Sequence, residues 1–97
     1  MNMQAMLKQA QQMQKQMIAE QEKINNMGFV GENGLVKVTM KGTKRIEKVE
    51  IQKEDDFGKD DLEMLEDMIM VAVNDALGQI DKETESKLGK YTKGLPF

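Results

Sequence analysis

The sequence predicts an α+β protein of order α-β-β-β-α: a three-stranded antiparallel meander flanked by two long helices. Three observations carry this. Met3, Met6, Ala10, Met13, Met17 and Ile24 recur at helical spacing. Glu32-Asn33-Gly34 and Lys41-Gly42-Thr43-Lys44 read as turns between short alternating apolar runs. From Asp60 to Leu88 the chain holds no proline, and its apolar residues again follow the helical period.

In chain order, the first helix occupies roughly residues 3–26, rich in Gln, Lys, Ala and Met, and stops at Asn25-Asn26-Met27-Gly28, where glycine tolerates a left-handed closing residue. Phe29-Val30, Leu35–Met40 and Arg45–Ile51 are the strands. Val36, Val38 and Met40 share one face of the second, and Val49 and Ile51 share one face of the third. An acidic loop, Glu54–Lys59, leads to Asp60, which with Glu63 marks the start of the last helix. The chain divides as an N-terminal helix (1–27), a meander (28–53), a C-terminal helix (60–88) and a flexible tail (89–97), all within one domain.

At 97 residues, a core built by one copy is marginal, so self-association is expected. The absence of cysteine and histidine excludes disulfides, thiolate nucleophiles, histidine acid–base chemistry and Cys/His zinc sites. No apolar stretch suits a signal peptide or a membrane span, which predicts a cytoplasmic protein with no membrane partner. The net charge of −3 is uneven. Residues 54–81 carry one lysine against ten acids, whereas 28–53 carry six basic groups against three acids and 82–97 four lysines against two glutamates. Local fields can therefore be positive despite the total.

The last helix poses a packing question. Leu62, Leu65, Ile69, Ala72, Val73, Ala76, Leu77 and Ile80 form a broad stripe, and Met64, Met68 and Val71 a second, roughly opposite, that ends at Asp75. The broad stripe is expected to pack on the meander and first helix. Met64, Met68 and Val71 are expected to meet a second copy, with Asp75 marking where the helix leaves that contact. The alternative is that the first helix covers the second stripe within one chain. If the two helices run antiparallel, their free ends form an arm carrying Lys8, Lys15, Lys82, Lys87, Lys90 and Lys93.

Other groups are weaker candidates. The acids at 54–56 and 60–61 lack the spacing of an EF-hand, and Glu66 and Asp67 diverge by about 100° on a helix, so neither a metal site nor a catalytic pair is expected. No cofactor or small-molecule substrate is implied. The basic groups, on the arm and in the hairpin cluster Lys41, Lys44, Arg45 and Lys48, suit phosphate contacts, with Gln9, Gln12 and Gln16 able to add hydrogen bonds. A Met-rich helix face can instead dock a partner protein, which makes an interaction module the alternative reading.

The segments MLKQAQQMQKQM (6–17), GLVKVTMKG (34–42), VEI (49–51), DLEMLEDMIMVAVNDAL (61–77) and GLPF (94–97) together resemble the YbaB/EbfC family of nucleoid-associated proteins, in order and over nearly the whole chain. The resemblance implies an intertwined, tweezer-like homodimer that binds double-stranded DNA with limited sequence preference, organises the nucleoid, influences transcription and has no enzymatic activity. It also implies DNA-contacting groups on the two arm helices, which carries over to Lys8, Lys15, Lys82 and Lys87; Lys90 and Lys93 extend that set to the tail. The chain departs from the pattern after Asn74-Asp75-Ala76, where many relatives turn basic and this one supplies no lysine until Lys82.

Overall fold

The computed structural model describes residues 2–53 and 57–92. Helix α1 spans Met3–Asn26, strands β1, β2 and β3 span Gly28–Asn33, Val36–Lys41 and Ile46–Ile51, and helix α2 spans Leu62–Thr92 after a 3-10 turn at Lys59–Asp61. The order is the predicted α-β-β-β-α, with one antiparallel sheet in the order β1-β2-β3.

Local chemistry explains most of the boundaries. The Asn2 side chain accepts a hydrogen bond from the Gln4 N–H at 3.0 Å and caps the start of α1. That helix ends because Met27 turns extended (φ −77°, ψ 148°), while its N–H bonds the Ile24 carbonyl. The left-handed freedom of Gly28, expected to stop the helix, is not used, and Gly28 begins β1 instead. Glu32 and Asn33 pair with Lys37 and Val36, so β1 is longer than expected and the turn contracts to Gly34 and Leu35. Gly34 supplies the positive φ of 55° there. At the start of the last helix it is Asp61, not Asp60, that reaches back, accepting from the Gly58 N–H at 2.8 Å. The helix then runs to Thr92, so Gly89–Thr92, expected in the tail, form its last turn. Glu54–Asp56 and residues 93–97, with Lys93, lie outside the described residues.

The core lies between one face of the sheet and α2. Val36, Val38 and Ala72 form one buried group, flanked by Leu65, Met68, Ile69 and Val73; Ile24, Phe29, Met40, Ala76 and Ile80 form the other. The helix lies close because its residues at the contact are small. A Cβ on Gly31 would overlap the Ala72 carbonyl oxygen and stand 2.7 Å from the Ala76 nitrogen. Side chains of α2 also finish the outer edge of β1: Asp75 Oδ2 accepts from the Glu32 N–H at 3.1 Å, and Gln79 Nε2 donates to the Val30 carbonyl at 2.7 Å. Asp75 therefore clamps an edge strand, a role the position of a stripe on a helix could not reveal.

The opposite edge is unfinished. Val49 and Ile51 pair with Val38 and Val36, and Ile46 with Met40, so their side chains share the core face. Yet every residue of β3 is exposed, Val49 at 46% and Ile51 at 49%. On the flank of α2, Leu62 and Met70 are likewise exposed. Met68 departs from the expected second stripe: it packs against Val36, Val38 and Ala72, and only Met64 and Val71 of that stripe are exposed.

Candidate nucleic-acid interface

The arm forms because α1 enters the sheet at its C-terminal end and α2 leaves it at Ile80. Ile24 clusters with Ile80 and Leu88, and Tyr91, eleven residues beyond Ile80 and hence on the same flank, is 7% exposed. The pairing stops there. Every residue from Asn2 to Gln16 is exposed and Met17 is the first that is half-buried, so this stretch of α1, about 20 Å long, is little covered by the other described residues. The molecule is accordingly drawn out, with extents of 71 × 24 × 13 Å.

The root of the arm is held tightly. A Cβ on Gly42 would overlap the Ile24 carbonyl oxygen, and the Gly42 N–H donates to the Met27 carbonyl at 3.1 Å, which locks the β2–β3 turn against the end of α1. From the other side Lys44 Nζ meets Asp81 Oδ1 of α2 at 3.2 Å.

On the free part of α1, Lys8 and Lys15 are seven residues apart and share a face, about 10 Å from each other along the axis. With Gln11 and Gln12 they line one shallow concavity. Gln12 is thus beside the lysines as expected. Gln9 and Gln16 are absent from that lining, and Gln11, which spacing alone had not singled out, is present. Between residues 2 and 19 these two lysines are the only ionised side chains, so the field of this stretch is positive without local opposition.

The lysines of α2 are less coherent. Lys82 and Lys90 line a second concavity with Glu85, Ser86 and Gly89. Lys87 lies about 140° around the helix from Lys82 and is not part of it. Lys90 sits over the Tyr91 ring, its Nζ 5.2 Å from the centroid, an arrangement that steadies the cation. From Asp81 to Thr92 three lysines face three acids, so α2 adds little net charge to the arm. No group of three or more metal-ligating side chains converges among the described residues, and no described helix is long and apolar enough to cross a membrane.

Comparison with known proteins gives a consistent answer. A family model described as the YbaB/EbfC DNA-binding family matches residues 1–95. A nucleoid-associated protein of Lactococcus lactis subsp. lactis is 54% identical over 99 residues, covering 100% of this chain and 99% of that protein. One from Enterococcus faecalis is 50% identical, covering 98% of this chain and 92% of its own length, and one from Lactobacillus acidophilus is 48% identical, covering 98% and 86%.

Proposed function

The chain belongs to the YbaB/EbfC DNA-binding family, and from that premise we propose that it is a homodimeric, nucleoid-associated protein that holds duplex DNA with its arms, chiefly through phosphate contacts. It works in the bacterial cytoplasm on the nucleoid, contributing to nucleoid organisation and gene regulation. The observation that carries the reading is the free stretch of α1, where Lys8 and Lys15 face the same way with no carboxylate among residues 2–19. Cations at that spacing, joined by glutamine donors, suit a sugar–phosphate backbone and read little sequence. Lys82, Lys87, Lys90 and Lys93 are the remaining proposed contacts.

The dimer is supported by surface bookkeeping. The chain exposes 7729 Å², where a compact monomer of 11.0 kDa exposes about 5,600 Å². Its radius of gyration of 19.8 Å compares with about 12.5 Å for a compact domain of its length. The excess, about 2,100 Å² per chain, is well above what a standard interface removes from one partner and matches a large obligate homodimer interface. The exposed apolar row of β3 and the flank of α2 with Leu62 and Met70 are the natural place for a second copy, and Met64 and Val71 extend the proposed contact at the start of the helix. Met68, partly buried against Val36, Val38 and Ala72, lies beside this contact.

The test is fluorescence anisotropy of a labelled random-sequence duplex at several salt concentrations. Saturable binding that weakens steeply as salt rises is expected, and replacing Lys8, Lys15, Lys82 and Lys87 together by Ala should abolish it while sedimentation still reports a dimer. A second reading, docking of a partner protein, draws on the exposure of Met3, Met6, Leu7 and Met13 along α1. Apolar docking is insensitive or strengthened as salt rises, which separates the two.

A further inference from the structure

The β2–β3 turn carries three cations, and two of them have no ion-pair partner among the described residues. Lys44 is tied to Asp81, and its backbone, at φ 70°, is held in the left-handed region by the turn, where its N–H bonds the Lys41 carbonyl at 2.8 Å. Lys41 and Arg45 form no ion pair among the described residues; the Lys41 N–H donates to the Arg45 carbonyl at 2.9 Å. Their side chains line one concavity with Thr43, Ile46 and Glu47, a single acid against two cations. Nearby on α1, Lys23 stands 3.9 Å from the half-buried Glu20, so it adds no net positive charge to the turn.

The turn is also fixed in place. Gly42 is pressed on the end of α1 and Lys41 is half-buried, and the exposed Lys44–Asp81 pair adds a weaker link to α2. Two cations on a rigid loop lose less conformational freedom on meeting a phosphate than two on a mobile one. Gly42, between Lys41 and Arg45, touches Ile24 at the foot of α1, and Ile24 lies about 24 Å along the helix axis from Lys8 and about 14 Å from Lys15. That span is shorter than one turn of a duplex, about 34 Å, so the arm lysines and the turn can meet the same backbone.

We propose that the β2–β3 turn is a second DNA contact, with Lys41 and Arg45 taking backbone phosphates of the duplex at the root of the arm. This rests on the DNA-binding reading above and adds a residue set that the arm does not contain. Arg45 presents a planar fork able to bind phosphate through two hydrogen bonds, whereas Lys41 contributes a point charge.

The experiment is the same anisotropy titration on Lys41→Gln/Arg45→Gln, on the charge-conserving Lys41→Arg/Arg45→Lys, and on Lys59→Gln, a lysine at the far end of α2 from the arm. The glutamine pair should weaken binding by about tenfold or more at low salt and shallow the log–log salt slope by about two per protomer. The conservative pair should bind nearly as the unsubstituted protein, and Lys59→Gln should change nothing. Unaltered affinity and slope in the glutamine pair overturn the proposal, as does an equal loss in Lys59→Gln, which would mark a general charge effect. Loss in the conservative pair as large as in the glutamine pair, with circular dichroism showing a disturbed fold, also overturns it. If the unsubstituted protein fails to bind at low salt, the DNA reading and this contact fall together. If Lys8→Gln/Lys15→Gln binds normally while the glutamine pair does not, the arm assignment falls and the turn stands.

Discussion

Strands β1 and β3 are the two edges of one small sheet and are treated in opposite ways. Along β1, α2 lies close enough to exclude any side chain at Gly31, and Asp75 and Gln79 satisfy the backbone at Glu32 and Val30. Along β3 the residues that face the core side remain exposed, although their partners Val36, Val38 and Met40 are each at most 1% exposed. An uncovered edge with an apolar row is a liability for a monomer. The difference teaches that one edge is completed by the chain itself while the other keeps its apolar row exposed, which is where the proposed second copy would sit.

The sharpest way to break the comparison is at the completed edge. Gly31→Val should cost about 3 kcal/mol or more, because its side chain meets main chain, which cannot swing aside; urea denaturation with circular dichroism measures it. At the open edge, Val49→Asp/Ile51→Asp should leave the monomer fold largely intact and weaken dimerisation by about 100-fold or more, read by sedimentation across a concentration series. If that pair unfolds the chain instead, β3 belongs to the intrachain core and the contrast collapses. The smallest effect is expected at the clamp. Asp75→Ala/Gln79→Ala should cost about 1–2 kcal/mol in the same urea experiment, since exposed hydrogen bonds contribute about 1 kcal/mol each. Faster amide exchange at Glu32 in that variant would assign the loss to the β1 edge.

How much of this was legible in the sequence depends on whether periodicity or proximity carries the information. The helical run of α1, the face shared by Val36, Val38 and Met40, and the stripe through Ala72, Ala76 and Ile80 follow from spacing, and the structure has them, although of the six apolar positions of α1 only Ile24 is buried. Asp75 and Met68 were misplaced because both sit at the border between the α2 faces, where 100° per residue cannot decide which neighbour a side chain reaches. Met68 turns inward onto Val36 and Val38, and Asp75 finds a free N–H 43 residues away. The end of α2 was set four residues early because Gly89 reads as a helix breaker, yet Tyr91 buries its ring at the next turn and the helix continues. The lysines proposed as contacts, their seven-residue spacing on α1 and their charge balance on α2 are all readable from sequence; spacing could not show that Gln11 lines the concavity with Lys8 and Lys15 while Gln9 and Gln16 do not.

The tight fit of Gly42 on Ile24 makes α1 a lever with its fulcrum at the sheet. A pivot of about 10° there would carry Lys8, about 24 Å away, through about 4 Å, and Lys15 through little more than half as much. The same deflection scarcely moves Lys41 and Arg45, which sit at the fulcrum. On the proposed DNA reading, the outer cations would follow a backbone whose groove width and bend vary from site to site, while the inner ones would hold a constant register.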